Sequence, residues 1–175
     1  SGIGARVLRK EDARHLAGRG RFVDDLVFPR LVEVAFLRSP SAHAELGAVA
    51  VPEALRRQVF LAADLQGVSP IVARSTLPGY RVSEYHPLAR DRVRFVGEPI
   101  AACWAESRAA AEDVVAALQP ALRELTPLAG IADAMADKAR IHADWPDNLF
   151  IHLQREDDLS EVKARAAHVV ERRFR

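Results

Sequence analysis

The stretch PLARDRVRFVGEPIAACWA, residues 87–105, decides how the rest of the chain is read. Two apolar runs, Asp91–Val96 and Pro99–Ala105, flank Gly97-Glu98, a pattern that predicts two strands joined by a tight turn. Glycine at 97 permits a positive φ. Pro99 can open a strand because its missing N–H is not needed at that first position. Immediately downstream, Ser107 is a good N-cap for a helix reaching about Leu118. Its apolar stripe is Ala111, Val114, Val115 and Leu118, at i, i+3, i+4 and i+7 spacing.

Working outward, Leu31–Leu37 reads as a strand with Val32, Val34 and Phe36 on one face and Glu33 opposite. Arg38-Ser39-Pro40-Ser41 is a polar turn into a strand at Glu45–Val51. A helical turn at Pro52–Arg56 and a strand at Gln58–Leu61 follow. Ser69–Pro87, with three prolines and a glycine, reads as a long loop, and so does Asp137–Asn148. Pro120 limits the segment after the helix to an edge strand at best. Near the N-terminus, Lys10–Leu16 holds at most two helical turns, which Gly18 can stop in the left-handed conformation. Near the other end, Asp158 and Glu161 have capping-box spacing for a helix at Leu159–Ala167, followed by a strand at His168–Phe174. Strands and helices alternate irregularly, so the expected class is α+β, with small mixed sheets and a few short helices.

Composition removes several functions. The chain has 175 residues, 49% of them hydrophobic and 28% charged, an ordinary globular balance. A net charge of +1 removes the electrostatic case for a nucleic-acid binder. One cysteine, Cys103, excludes an internal disulfide framework and an all-cysteine metal or iron–sulfur site. The longest apolar run falls well short of the ~20 residues that span a bilayer, and Ser1–Arg6 leads into no apolar signal core. The expected location is therefore cytoplasmic, with no membrane span.

Candidate chemistry is sparse. Gly18-Arg19-Gly20 precedes a strand instead of joining strand to helix, which disfavours nucleotide binding. No two of the six histidines have metal-site spacing. Cys103, mid-strand, reads as a small buried thiol. Arg90, Arg92 and Arg94 alternate along a strand and could hold an anion or a partner's carboxylates, although a solvated face is the commoner outcome. No catalytic or metal-binding residue is assigned.

The wording of the sequence is more specific than its physics. Residues 9–25 (RKEDARHLAGRGRFVDD), 38–44 (RSPSAHA), Ala63-Asp64-Leu65 and above all 87–101 resemble segments of molybdenum hydroxylase large subunits. That family includes xanthine dehydrogenase, aldehyde oxidase and aerobic carbon monoxide dehydrogenase. Residues 109–113, Pro146-Asp147-Asn148 and 168–174 continue the resemblance in order.

The resemblance implies an N-terminal a/b hammerhead domain with its arm over residues 1–136. Residues 137–175 would then be a linker and the first elements of the next, molybdopterin-binding domain. It further implies an oxidoreductase that uses a molybdopterin dinucleotide, with iron–sulfur clusters and FAD on partner subunits. The cofactor-contacting and catalytic parts would lie outside this chain. Partners would be the remainder of the molybdenum subunit, an iron–sulfur subunit and a flavin subunit. Phe95, Val96, Gly97, Glu98 and Pro99 form the structural motif of the resemblance, and Arg90, Arg92, Arg94, Arg38 and His43 a possible interface. The alternative is a non-catalytic interaction module that keeps the hammerhead fold.

Overall fold

The computed structural model describes residues 2–154 and 157–172. A short helix, α1 (Asp12–Leu16), is stopped at Gly18, whose φ of +67° supplies the left-handed turn. Then come β1 (Glu33–Arg38), β2 (Ala44–Ala50), a 3-10 turn at Glu53–Gln58 and β3 (Val59–Leu61). β4 (Ile71–Ala73) and β5 (Ser83–Tyr85) precede β6 (Arg92–Val93) and β7 (Pro99–Ala105). α2 (Arg108–Ala116), β8 (Gln119–Glu124), α3 (Ile131–Met135) and α4 (Ser160–Arg165) complete the order.

Among the described residues the strands form three small sheets, β1-β7-β3, β6-β2-β8 and β4-β5. Every ladder among them is antiparallel. α2 lies on the first sheet, where Val59, Ala101 and Cys103 meet Val114 and Leu118, and Ala35 and Ala105 meet Ala111. A second cluster joins the first two sheets through Ala44, Leu46, Ala89, Val93 and Ile100. β8 is an edge strand, as Pro120 requires. β2 bends past it with a register shift between Leu46 and Val49. A Cβ on Gly47 would sit 3.4 Å from Ala121.

Several expectations change. The two apolar runs around Gly97 are not a hairpin: β6 pairs with β2, while β7 pairs with β1 and β3. The chain crosses between sheets there, and only Arg92–Val93 of the first run is strand. On β1 the expected division into two faces holds, and the structure adds that the covered face is the one carrying Ala35, while Val32, Val34 and Phe36 are exposed. The alanine trio Ala35, Ala105 and Ala111 lets α2 approach closely, which valine or phenylalanine side chains would prevent.

The expected loop at Ser69–Pro87 contains the β4-β5 hairpin, and α3 lies in a stretch given no element. Asp158 accepts from the Ser160 amide at 2.9 Å, just ahead of α4, instead of forming the reciprocal box. Of the expected strand at His168–Phe174, residues 168–172 are irregular and the rest lie outside the described residues. No helix among the described residues is long and apolar enough to cross a membrane.

Both ends leave the body. Residues 2–31 and the described part of 151–172 contain no buried side chain. A compact 19.3-kDa monomer exposes about 8,500 Å² of surface by size scaling, whereas this chain exposes 14321 Å².

Candidate functional site

The Arg38–His43 turn and the Phe95–Pro99 turn interlock at the end of the β1-β7 ladder. The Gly97 N–H donates to the Ser39 carbonyl at 2.8 Å, and the Ser39 N–H donates to the Glu98 carbonyl at 2.9 Å. Arg38 Nη1 donates to the Gly97 carbonyl at 2.9 Å. A φ of +92° at Gly97 aims these groups, which is why glycine suits the position. Onward, Ser41 Oγ donates to the Glu124 carboxylate, and His43 Nδ1 lies 2.9 Å from the Thr126 carbonyl. Facing a carbonyl, that nitrogen carries the proton. The residues quoted from both motifs thus form one polar join between β1, β7 and the end of β8.

Glu98 is the buried charge of this join, 4% exposed. Its carboxylate accepts the Arg94 amide, and its other oxygen lies 3.7 Å from Arg94 Nη1. Burial pushes the carboxyl pKa above its usual range, more than the Arg94 amide and charge pull it down.

Beneath the join opens a cleft of about 970 Å³, walled on one side by Tyr85, His86, Arg94 and Glu98, on the other by His142 and Trp145. Burial raises the Tyr85 hydroxyl, with Glu98 adding to the effect. Burial also lowers His142, helped by the Arg94 charge, so this imidazole is held towards its neutral form. It stacks on Trp145 with ring centroids 4.3 Å apart. His86 Nδ1 and Arg94 Nε are enclosed without a hydrogen-bond partner. The cleft is polar and mixed in charge.

Arg90 and Arg94 line this cleft, whereas Arg92 lines a separate hollow with Glu45 and Arg123, so the three arginines do not converge. Arg38 is spent on the join. His43, 2% exposed, lies inside it and presents nothing to a docking partner. The second wall of the cleft, His142 and Trp145, was not legible in sequence, because no periodic pattern links a distant loop to the β5–β6 stretch.

The iron–sulfur clusters that the resemblance implies elsewhere do not fit here. Cys103 is the one cysteine, fully buried under α2, with burial raising its thiol pKa. Among the described residues no three His, Cys, Asp or Glu side chains group to hold a metal ion.

Small antiparallel sheets, one covering helix and interlocked polar turns define an α+β domain of hammerhead type. Residues 17–125 match the family described as "Aldehyde oxidase and xanthine dehydrogenase, a/b hammerhead domain", and the chain belongs to that family. It is 34% identical over 174 residues to the nicotine 6-hydroxylase large subunit of Paenarthrobacter nicotinovorans, covering 96% of itself and 21% of that protein. To the carbon monoxide dehydrogenase large chain of Hydrogenophaga pseudoflava it is 29% identical, covering 81% of itself and 18% of the relative. The crystal structure of quinoline 2-oxidoreductase from Pseudomonas putida 86 superposes with a TM-score of 0.82 at 37% identity. That match covers 94% of this chain and 22% of the other. The chain resembles the hammerhead domain of molybdenum hydroxylase large subunits, and it spans about a fifth of the length of these relatives.

Proposed function

We propose that this chain is the N-terminal structural part of a molybdenum-dependent oxidoreductase, a hydroxylase or carbon monoxide dehydrogenase-like large subunit, and is inactive by itself. One observation carries the reading: the match runs over almost the whole chain yet takes in only 21% of the nicotine 6-hydroxylase large subunit. In this reading the molybdopterin dinucleotide and the reacting groups belong to the remainder of the molybdenum subunit. Iron–sulfur and flavin subunits complete the electron path, and the enzyme is cytoplasmic.

The chain's own contribution is a scaffold in which the Gly97-Glu98 join fixes β7 against β1 and β8. The expected boundary at 136 moves outward in this proposal. Asn148 Nδ2 donates to the Ala139 carbonyl at 2.7 Å, Arg81 pairs with Asp147, and the Arg81 N–H donates to the Phe150 carbonyl at 3.0 Å. The body therefore runs to Phe150, and the following segment leads into the next domain.

Molybdenum and pterin analysis of the purified 175-residue chain tests the proposal. Neither is expected to copurify, and stoichiometric cofactor would overturn it. A coding sequence with no cofactor-binding remainder downstream would favour the non-catalytic module instead.

A further inference from the structure

β7 is apolar at all seven positions, Pro99–Ala105, and it is the central strand of β1-β7-β3. A short strand apolar on both faces, bounded by turns, has the pattern of a fully buried strand. Among the described residues only one face is covered, by α2. The other carries Val34 and Phe36 from β1, Ala102 and Trp104 from β7, and Phe60 from β3. Val34 stands opposite Trp104, and Ala102 lies between Phe36 and Phe60. The small Ala102 side chain makes the floor of an apolar hollow of about 400 Å³, to which Val32 adds a wall. Phe36 and Phe60 remain 42% and 46% exposed. The Trp104 indole donates to the Arg57 carbonyl at 3.1 Å, which leaves its ring for apolar contact.

We infer that this outer face seats a helix supplied by the remainder of the large subunit, an inference that rests on the function proposed above. Two observations select that occupant. Strands spaced about 4.8 Å put β1 and β3 about 10 Å apart, the width of one helix, and a single helix already covers the opposite face. The relatives carry about four-fifths of their length beyond the part this chain matches. The rim selects one flank of the helix: Arg57 borders Trp104, so a carboxylate suits that edge of an otherwise aliphatic stripe.

Hydroxyl-radical footprinting tests this on two preparations, the isolated chain and the complete large subunit that contains it. Phe36, Phe60 and Trp104 are expected to be labelled in the isolated chain and to lose that labelling in the complete subunit. The double variant Phe36→Asp, Phe60→Asp is expected to keep Cys103 inaccessible to a thiol reagent as the isolated chain, while the complete subunit bearing it fails to assemble. Equal labelling of the face in a molybdenum-containing subunit would overturn the inference and leave the proposed function standing. Absence of any molybdenum subunit containing this chain would overturn both. Protection that rises with the concentration of the isolated chain would assign the face to a second copy and overturn the helix.

Discussion

At the scale of single residues, the join between the two turns rests on Gly97 and Glu98. A Cβ on Gly97 would meet no atom within 4 Å, so alanine there brings backbone strain without a clash. At a φ of +92° the Gly97→Ala variant is expected to lose about 1–2 kcal/mol in urea unfolding, with an unchanged slope. An unchanged midpoint would mean that the turn has another conformation.

Glu98 makes the stability pH-dependent in the direction opposite to an ordinary ion pair. Its pKa rises above 4.5 on folding, so over the window upward from 4.5 the folded state holds a proton that the unfolded chain has released. Stability from this group therefore falls as pH rises. Glu98→Gln cannot titrate, so the melting temperature of the wild type should decline relative to the variant across that window. Asp64 and Asp147 are shifted downward and act in the opposite sense, but equally in both proteins. A gap between the two proteins that does not change with pH would refute the assignment.

At the scale of elements, α2 is where sequence and structure agree most closely, and the reason is local. Ser107 accepts the Ala110 amide as an N-cap should, and Ala111, Val114 and Leu118 are buried as their spacing requires. Ser107→Ala is expected to cost about 1 kcal/mol and Leu118→Ala about 2–5 kcal/mol by thermal or urea unfolding. A smaller loss for Leu118→Ala than for the cap variant would place α2 off the sheet.

The same local signals fixed β7 and the edge position of β8. On β1 they stop short, because alternation identifies two faces without saying which one a helix will cover. Val32, Val34 and Phe36 form the more apolar face, yet the alanine at 35 decides the packing because it admits α2. The Gly97 turn failed for a related reason: adjacency in sequence suggested a hairpin, while the hydrogen bonds of the turn go to Ser39. The cleft wall at His142 and Trp145 depends on a loop tied down by Asp147 and Asn148, side-chain bonds that no periodicity encodes.

At the scale of the molecule, two terminal arms stand apart from the packed body. Phe22, Val27 and Phe28 on one arm and Val162, Val169 and Val170 on the other are exposed. The arms also carry trypsin sites without buried neighbours: Arg6, Arg9, Lys10, Arg14, Arg19 and Arg21 at the front, Lys163 and Arg165 at the back. Three sites in the body are held by partners outside their own helical turn, whereas Arg9 and Arg14 pair with Asp12 and Glu11 three residues away. Arg38 is bonded to Gly97, Arg56 to Asp64 and Arg81 to Asp147.

Brief trypsin treatment of the isolated chain should therefore cut the arms first and leave a product that retains Glu33 to Phe150, read by intact mass. Early cleavage at Arg38, Arg56 or Arg81 with the front sites intact would show that the arms are the protected part. Under the proposed function the order reverses in context: within a complete large subunit the arm sites should resist cleavage, because the surface that makes them vulnerable here is the surface the remainder would cover.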